Sequence, residues 1–237
     1  MSASPTRSFT LTFAAITLLE IIGDTLSNRV LHYGCKPLIM ALLILYVRQC
    51  CQSIGYSAYI RWLMTGMVFA LIGDIFLMIR EVDLFALGLG AFLLMQLCYS
   101  RAFWLSMRQD RKRSWTKSVW LYAAGFALYD TIFLVMLRPE FIENSLLNGL
   151  WWPVVVYVVC LSLMGILATQ RRSLPGFAWV VAGALLFILS DSAIAIDKFL
   201  HPFTEAAWVI MSTYAAAQYL IVVGMVQQLV SEKPQNA

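Results

Sequence analysis

Eight runs of apolar residues, each near the length needed to cross a bilayer, constrain this chain more than any motif in it. The runs fall at about 9–26, 36–48, 60–80, 84–107, 118–137, 150–169, 176–197 and 205–229, and the segments between them are too short to hold a separate domain. A spanning helix takes roughly 20 mostly apolar residues, so eight of them use most of the 237 positions. Composition agrees: 61% of residues are hydrophobic and only 13% charged, with a mean hydropathy of +0.76, too apolar for a surface facing water. The expected fold class is therefore all-α, a single transmembrane domain over 1–237 with about eight helices. No small-residue cleavage pattern marks a secretory signal, and the first helix reads as retained.

The basic residues set the orientation. Arg7, Arg48, Arg61, Arg108, Arg111, Lys112, Arg113, Lys117, Arg171, Arg172 and Lys233 fall on one side of the predicted spans, and Arg29, Lys36, Arg80, Arg138 and Lys198 on the other. By the positive-inside rule both termini are cytoplasmic. The expected location is a plasma membrane, the inner membrane in a bacterium. The net charge of +4 is spent on this asymmetry and points to no nucleic-acid partner. The five cysteines, Cys35, Cys50, Cys51, Cys98 and Cys160, are odd in number and sit in or beside apolar runs, so they form no disulfide framework. Oligomeric state is not legible.

Ionisable groups in lipid cost roughly 2.5–3.5 kcal/mol each on insertion scales and face a protein interior or a wet cavity. Following the chain through its predicted spans places Asp74 and Asp191 at one depth in the outer half of the membrane. Glu20, Asp24, Asp130 and Tyr157 reach the same half, Tyr214 and Gln218 share one face of the last helix, and Lys36, Asp197 and Lys198 cap outer helix ends. Gln96 and Tyr99 enter nearer the middle. Any one of these groups can serve as glue between helices; so many carboxylates at one level, with few intramembrane bases to neutralise them, point to a shared cavity opening outward. Gly73-Asp74 and Ser190-Asp191, like Lys36-Pro37 and Trp152-Pro153, recur at an offset near 117, which two four-helix halves would explain.

Several chemistries are excluded by inventory. There is no Gly-x-Ser-x-Gly elbow, phosphate-cradling glycine loop or dinucleotide fingerprint. The two histidines, His32 and His201, read as loop residues, so no metal site and no cofactor is expected. What remains is a pair of carboxylates in a low-dielectric cavity, one protonated and one ionised, acting as acid and base. Pro37 suits a first helical position, where free N–H groups beside Lys36 would receive a phosphate; Lys36 as a plain interfacial anchor is the alternative.

The stretches holding these residues are Lys36-Pro37, Leu71–Leu77, Gly88–Phe103, Tyr157 with Ser162-Leu163-Met164, Gly183–Asp191, Thr213-Tyr214 and Ala217-Gln218. In order, spacing and helix placement, from Lys36 to Gly224, they resemble the YhhN-like, or lysoplasmalogenase, family of integral membrane proteins. One position departs: the family's His-x-x-Tyr pattern on the fourth helix has Gln96 here, and Gln neither gives nor takes a proton at neutral pH. The resemblance implies an ether hydrolase acting on a lysophospholipid within the lipid membrane. Its reaction cleaves the vinyl ether bond of lysoplasmalogens to a fatty aldehyde and glycerophospho-ethanolamine or -choline, without a cofactor. Asp74 and Asp191 would be catalytic, in an order the sequence leaves open. Lys36 and Lys198 would hold the phosphate, and Asp24, Gln96, Tyr99, Asp130, Tyr157, Tyr214 and Gln218 would line or orient the site. A transporter or lipid-binding protein using the same acidic cavity is the alternative, as is a different ether or ester lipid.

The charge asymmetry makes one prediction independent of chemistry. Reporter fusions at the C-terminus and in the Arg108–Lys117 loop should both read cytoplasmic, and an external signal at either place would invert every depth assignment.

Overall fold

A computed structural model of the chain describes residues 5–79, 81–108 and 118–232, all helix, turn or loop. Arg80, Arg111, Lys112, Arg113, Lys117 and Lys233, which enter the orientation argument, lie outside the described residues. The helices are α1 (Arg7–Thr25), α2 (Arg29–Ile54), α3 (Ala58–Met78), α4 (Phe85–Arg108), α5 (Val119–Glu143), the short α6 (Ser145–Asn148), α7 (Trp151–Thr169), α8 (Phe177–Ala195) and α9 (Ala206–Ser231), with a π-helical turn, Ile196–Leu200, continuing α8. Eight of them are long and apolar enough to cross a membrane, as expected.

Local signals explain the boundaries. Thr6, Asn28 and Ser57 cap α1, α2 and α3 by accepting the backbone N–H of Phe9, Leu31 and Ile60. Gly55, at φ 97°, ends α2 in a conformation only glycine adopts readily. The cap at Asn28 also corrects an expectation: α2 begins at Arg29, not at Lys36. Pro37 therefore lies inside the helix, and the free N–H groups predicted beside Lys36 belong to an earlier turn. The mixed sequence Arg29–Cys35 hides this turn from an apolar-run search. Likewise α5 runs through Pro139 to Glu143, beyond the predicted end at 137.

Consecutive spans pack as antiparallel neighbours, α1 on α2, α3 on α4, α8 on α9, with α4 against α7 and α9 closing back onto α1 and α2. Lipid tails are as apolar as leucine, so hydrophobicity cannot hold these pairs together and small residues at the contacts must. A Cβ on Gly66 would lie 2.6 Å from the Tyr99 ring, and one on Gly183 would lie 2.8 Å from the carbonyl oxygen of Ala217. Gly66 and Gly183 are 117 positions apart, the same separation as Asp74 and Asp191. A tight helix contact and an acid thus keep one spacing in α3 and in α8. Helix α5 is the outlier, packed chiefly on α7 and presenting Trp120, Leu121, Leu128, Ile132 and Val135 outward.

Polar residues bury at both ends of the bundle. At the end where α4 and α9 finish and α3 starts, Arg171 is fully buried, donating to Ser106 Oγ at 3.1 Å and Gln228 Oε1 at 2.7 Å. There Tyr59 also donates to Glu232 at 3.0 Å. Arg101 lies on the surface with its guanidinium 4.3 Å from the Trp104 ring centroid.

The α8–α9 contact sets Gly183 directly against the backbone of α9, which cannot yield as a flexible side chain would. Gly183→Val should lower the unfolding free energy in detergent by about 1–3 kcal/mol, the usual range for overpacking. Gly90→Ala should not lower the melting temperature, because a methyl group at that position would meet nothing within 4 Å and alanine is the better helix former. Equal melting of the two variants would contradict this packing.

Candidate functional site

The two aspartates lie near the C-terminal ends of α3 and α8, and each meets a tyrosine from the first half of an antiparallel helix. Tyr214 on α9 donates its hydroxyl to Asp74 Oδ2 at 2.7 Å, and Tyr157 on α7 donates to Asp191 Oδ2 at 2.6 Å. Both lengths are ordinary for O–H···O hydrogen bonds. Gln96, fully buried on α4, points Nε2 at the same Asp191 Oδ2 from 3.4 Å. Both hydrogen bonds to Asp191 thus end on Oδ2, which leaves Oδ1 as the oxygen available for another partner. Asp191 acts electrostatically on the Tyr214 hydroxyl, and Lys36 and Glu20 act on Asp74.

Aromatic rings fix Tyr214. The Phe92 ring stands edge-on to it, centroids 5.8 Å apart, and Phe187 closes the other side at 5.9 Å. Gly73, immediately before Asp74, is what lets Phe92 come so near: a Cβ there would lie 2.8 Å from the ring. The residue pair Gly73-Asp74 thereby joins two functions, close approach and charge.

Two adjoining hollows lie nearby, one of them with Asp191 in its wall. The larger, of about 770 Å³, is an open vestibule whose walls carry Asp24, Lys36, Asp83, Asp197 and Lys198. The other is a narrow slot of about 40 Å³ between α4, α5, α7 and α8, apolar except for Tyr129, Tyr157, Asp191 and Ser192. Leu77, Phe85 and Ile194 belong to the walls of both. A charged chamber therefore adjoins an apolar one, with Asp191 on the wall of the second.

Other expected residues are placed differently. Tyr99 donates to Gln218 Oε1 at 2.7 Å, a buried pair between α4 and α9. Asp130 accepts the Ser162 hydroxyl at 2.5 Å, an α5–α7 link that explains the acid as helix glue. Lys198 reaches the vestibule but is ion-paired with Asp83 at 3.8 Å and stands 5.1 Å from the Phe85 ring. The vestibule residue Asp83 and the slot pair Tyr129–Ser192, hydrogen-bonded at 2.7 Å, carried no sequence signal, because Asp83 sits in a connecting turn and Ser192 is a small residue in an apolar run. His32 corrects the inventory most clearly. It lies in the first turns of α2, not in a loop, and is buried beside Glu20 and Asp24.

A helical membrane protein with two tyrosine-bound carboxyl groups, one of them in the wall of an apolar slot beside a charged vestibule, is the class of molecule that this arrangement defines. The YhhN family model matches residues 31–225, and the chain belongs to the YhhN family. It is 34% identical over 168 residues to the bovine protein named lysoplasmalogenase TMEM86A, covering 68% of this chain and 64% of that one. The human protein of the same name is 29% identical over 81% of this chain and 76% of its own length. The Mycobacterium tuberculosis protein named lysoplasmalogenase is 34% identical over 69% of this chain. The match spans 64% of the bovine relative and 60% of the mycobacterial one. No solved structure matches the chain.

Proposed function

We propose that the chain is a lysoplasmalogenase-type hydrolase that cleaves the vinyl ether bond of a lysoplasmalogen. The observation that carries the reading is the adjoining pair of hollows, charged and apolar, with Asp191 on the wall of the apolar one. A single-chain lipid has the matching division. Its phosphate would sit by Lys36 and Lys198, its ammonium near Asp197, and the first carbons of its chain in the slot. The rest of the chain would leave sideways past α5, the least embedded helix, into lipid. Because Pro37 lies within α2, the phosphate contact from Lys36 rests on its ammonium and not on a helix N-terminus.

Acid-catalysed cleavage of an enol ether starts by protonating the carbon β to oxygen, which leaves an oxocarbenium ion at the α carbon. Water adds there, loses a proton, and the hemiacetal collapses to an aldehyde and the free glycerol hydroxyl. One water is consumed, and the acid recovers its proton. A pair of carboxylates serving an oxocarbenium-like state is also the arrangement of glycosidases. Asp191 is suited to be the proton donor: Tyr157 and Gln96 both occupy Oδ2, so Oδ1 carries the proton toward the slot. Asp74, held by Tyr214, would be the ionised partner that takes the proton from water. Gln96 would be a positioning residue, and an imidazole N–H could make the same bond. That accounts for Gln in place of the family's usual His.

The test is aldehyde release from a lysoplasmalogen by the purified protein in detergent, with the ester-linked lysophospholipid as comparison. Asp191→Asn and Asp74→Asn should each lower turnover by about a hundredfold or more, and the double variant should be hardly worse than the worse single. Tight lysolipid binding with no aldehyde would favour a binding or transport protein, and a fully active Asp191→Asn would end the assignment of the donor.

Gln96 gives a separate test. Gln96→Leu should lower turnover by about tenfold or more, the worth of a hydrogen bond to a charged group, while Gln96→His should retain most of it. Equal loss in both variants would show that the position serves packing and not the orientation of Asp191.

A further inference from the structure

The hairpin between α1 and α2 holds a cluster that the proposed hydrolysis does not use. Glu20 and Asp24 are four residues apart and so share one face of α1, and His32 faces them from the start of α2. Gly23 allows this closeness: a Cβ there would lie 2.8 Å from the backbone nitrogen of His32. His32 Nδ1 is 3.1 Å from Glu20 Oε1 and 3.6 Å from Asp24 Oδ1, and one ligand atom from each of the three residues lies within 4.8 Å of the others.

We infer that Glu20, Asp24 and His32 form a binding site for a divalent cation of the kind that takes mixed nitrogen and oxygen ligands, such as Zn²⁺. Geometry supports it first. Ligands at about 2.1 Å from a tetrahedral ion stand about 3.4 Å apart, and the two separations from Nδ1 lie on either side of that value. Charge supports it independently. Glu20 is fully buried, and neither of its carboxylate oxygens has a hydrogen-bond partner. A carboxylate so enclosed requires a compensating positive charge or coordination. His32 faces one oxygen of Glu20, whereas a divalent ion would also take up the oxygen that His32 does not face.

Access supports it as well. A hollow of about 150 Å³ borders the cluster, with Asp24 and His32 in its wall. It leaves room for water to complete the coordination, as at sites with three protein ligands. Asp24 also belongs to the vestibule wall. The ion would therefore clasp α1 to α2 and fix one rim of the vestibule, apart from the slot where Asp191 lies. Glu20 and Asp24 precede the residues matched by the family model, so the site is assigned to this chain and not to its family.

The chain has two histidines, and His201 is exposed, which makes a direct assay available. Full-length protein carrying His201→Ala and purified without a histidine tag should bind Zn²⁺ in detergent with saturable, equimolar stoichiometry by titration calorimetry. With Cu²⁺ as the probe, pulsed electron paramagnetic resonance should show imidazole nitrogen coupling, which only His32 can supply in that variant. Glu20→Gln should weaken Zn²⁺ binding by about a hundredfold or more, beyond the roughly 10–100-fold that loss of an outer-shell partner costs. Absence of saturable binding overturns the proposal, and so does Cu²⁺ bound without imidazole coupling. Both of these readouts use protein with the cluster intact, so a Glu20→Gln protein that fails to fold does not shelter the inference.

Discussion

The bonds from Tyr214 to Asp74 and from Tyr157 to Asp191 are what the rest of this bundle is arranged around. A carboxyl group taken out of water must find a donor within the protein or face a penalty of several kcal/mol, and a phenol hydroxyl is a donor that a mostly apolar helix can carry without adding charge. Each bond requires an antiparallel helix pair to hold register within an ångström or so. The glycines at the pair contacts provide that register. Gly73 makes room for Phe92, Phe92 and Phe187 hold the Tyr214 ring, and the ring delivers its hydroxyl to Asp74.

The donors also cross the molecule in a regular way. Asp74 on α3 receives its bond from α9, the last span, and Asp191 on α8 receives one from Gln96 on α4, the last span of the first half. With the equal 117-residue spacing of the acids and of Gly66 and Gly183, this exchange is what two halves in parallel orientation would produce when each completes the site of the other. The Pro37 and Pro153 match does not extend the pattern. Pro37 is well inside α2 while Pro153 is in the first turn of α7, so their similar spacing has different structural meanings.

How much of this could be read from the chain alone depends on the type of interaction. Span number and the common depth of Asp74, Asp191, Tyr157 and Tyr214 follow from hydropathy and alternation, since a helix rises by a fixed length per residue. Partner choice does not follow. Depth alone does not separate Asp130 from Tyr157, but rotation about the helix axis decides what each meets, and rotation is set by packing. Asp130 turns to Ser162 and Tyr99 to Gln218, whereas Tyr157 turns to Asp191. The polar opening of α2 was hidden for another reason: a helix end stabilised by a cap and by buried His32 has no apolar run to announce it.

The division of the cavity bears on how a water-consuming reaction could run beside lipid. Charged residues gather at the vestibule, where their hydration shells persist, and the slot keeps one carboxylate and the hydroxyls of Tyr129, Tyr157 and Ser192 among apolar walls. An ion formed in the slot would be poorly solvated, so a negative or hydrogen-bonding group fixed beforehand at its edge counts for more there than in water. Tyr157 and Gln96 hold Asp191 in one orientation before any substrate arrives, and no reorganisation is then needed when charge develops. On the proposed reading, water would come from the vestibule across the shared wall of Leu77, Phe85 and Ile194, while the apolar chain stays among the walls of the slot.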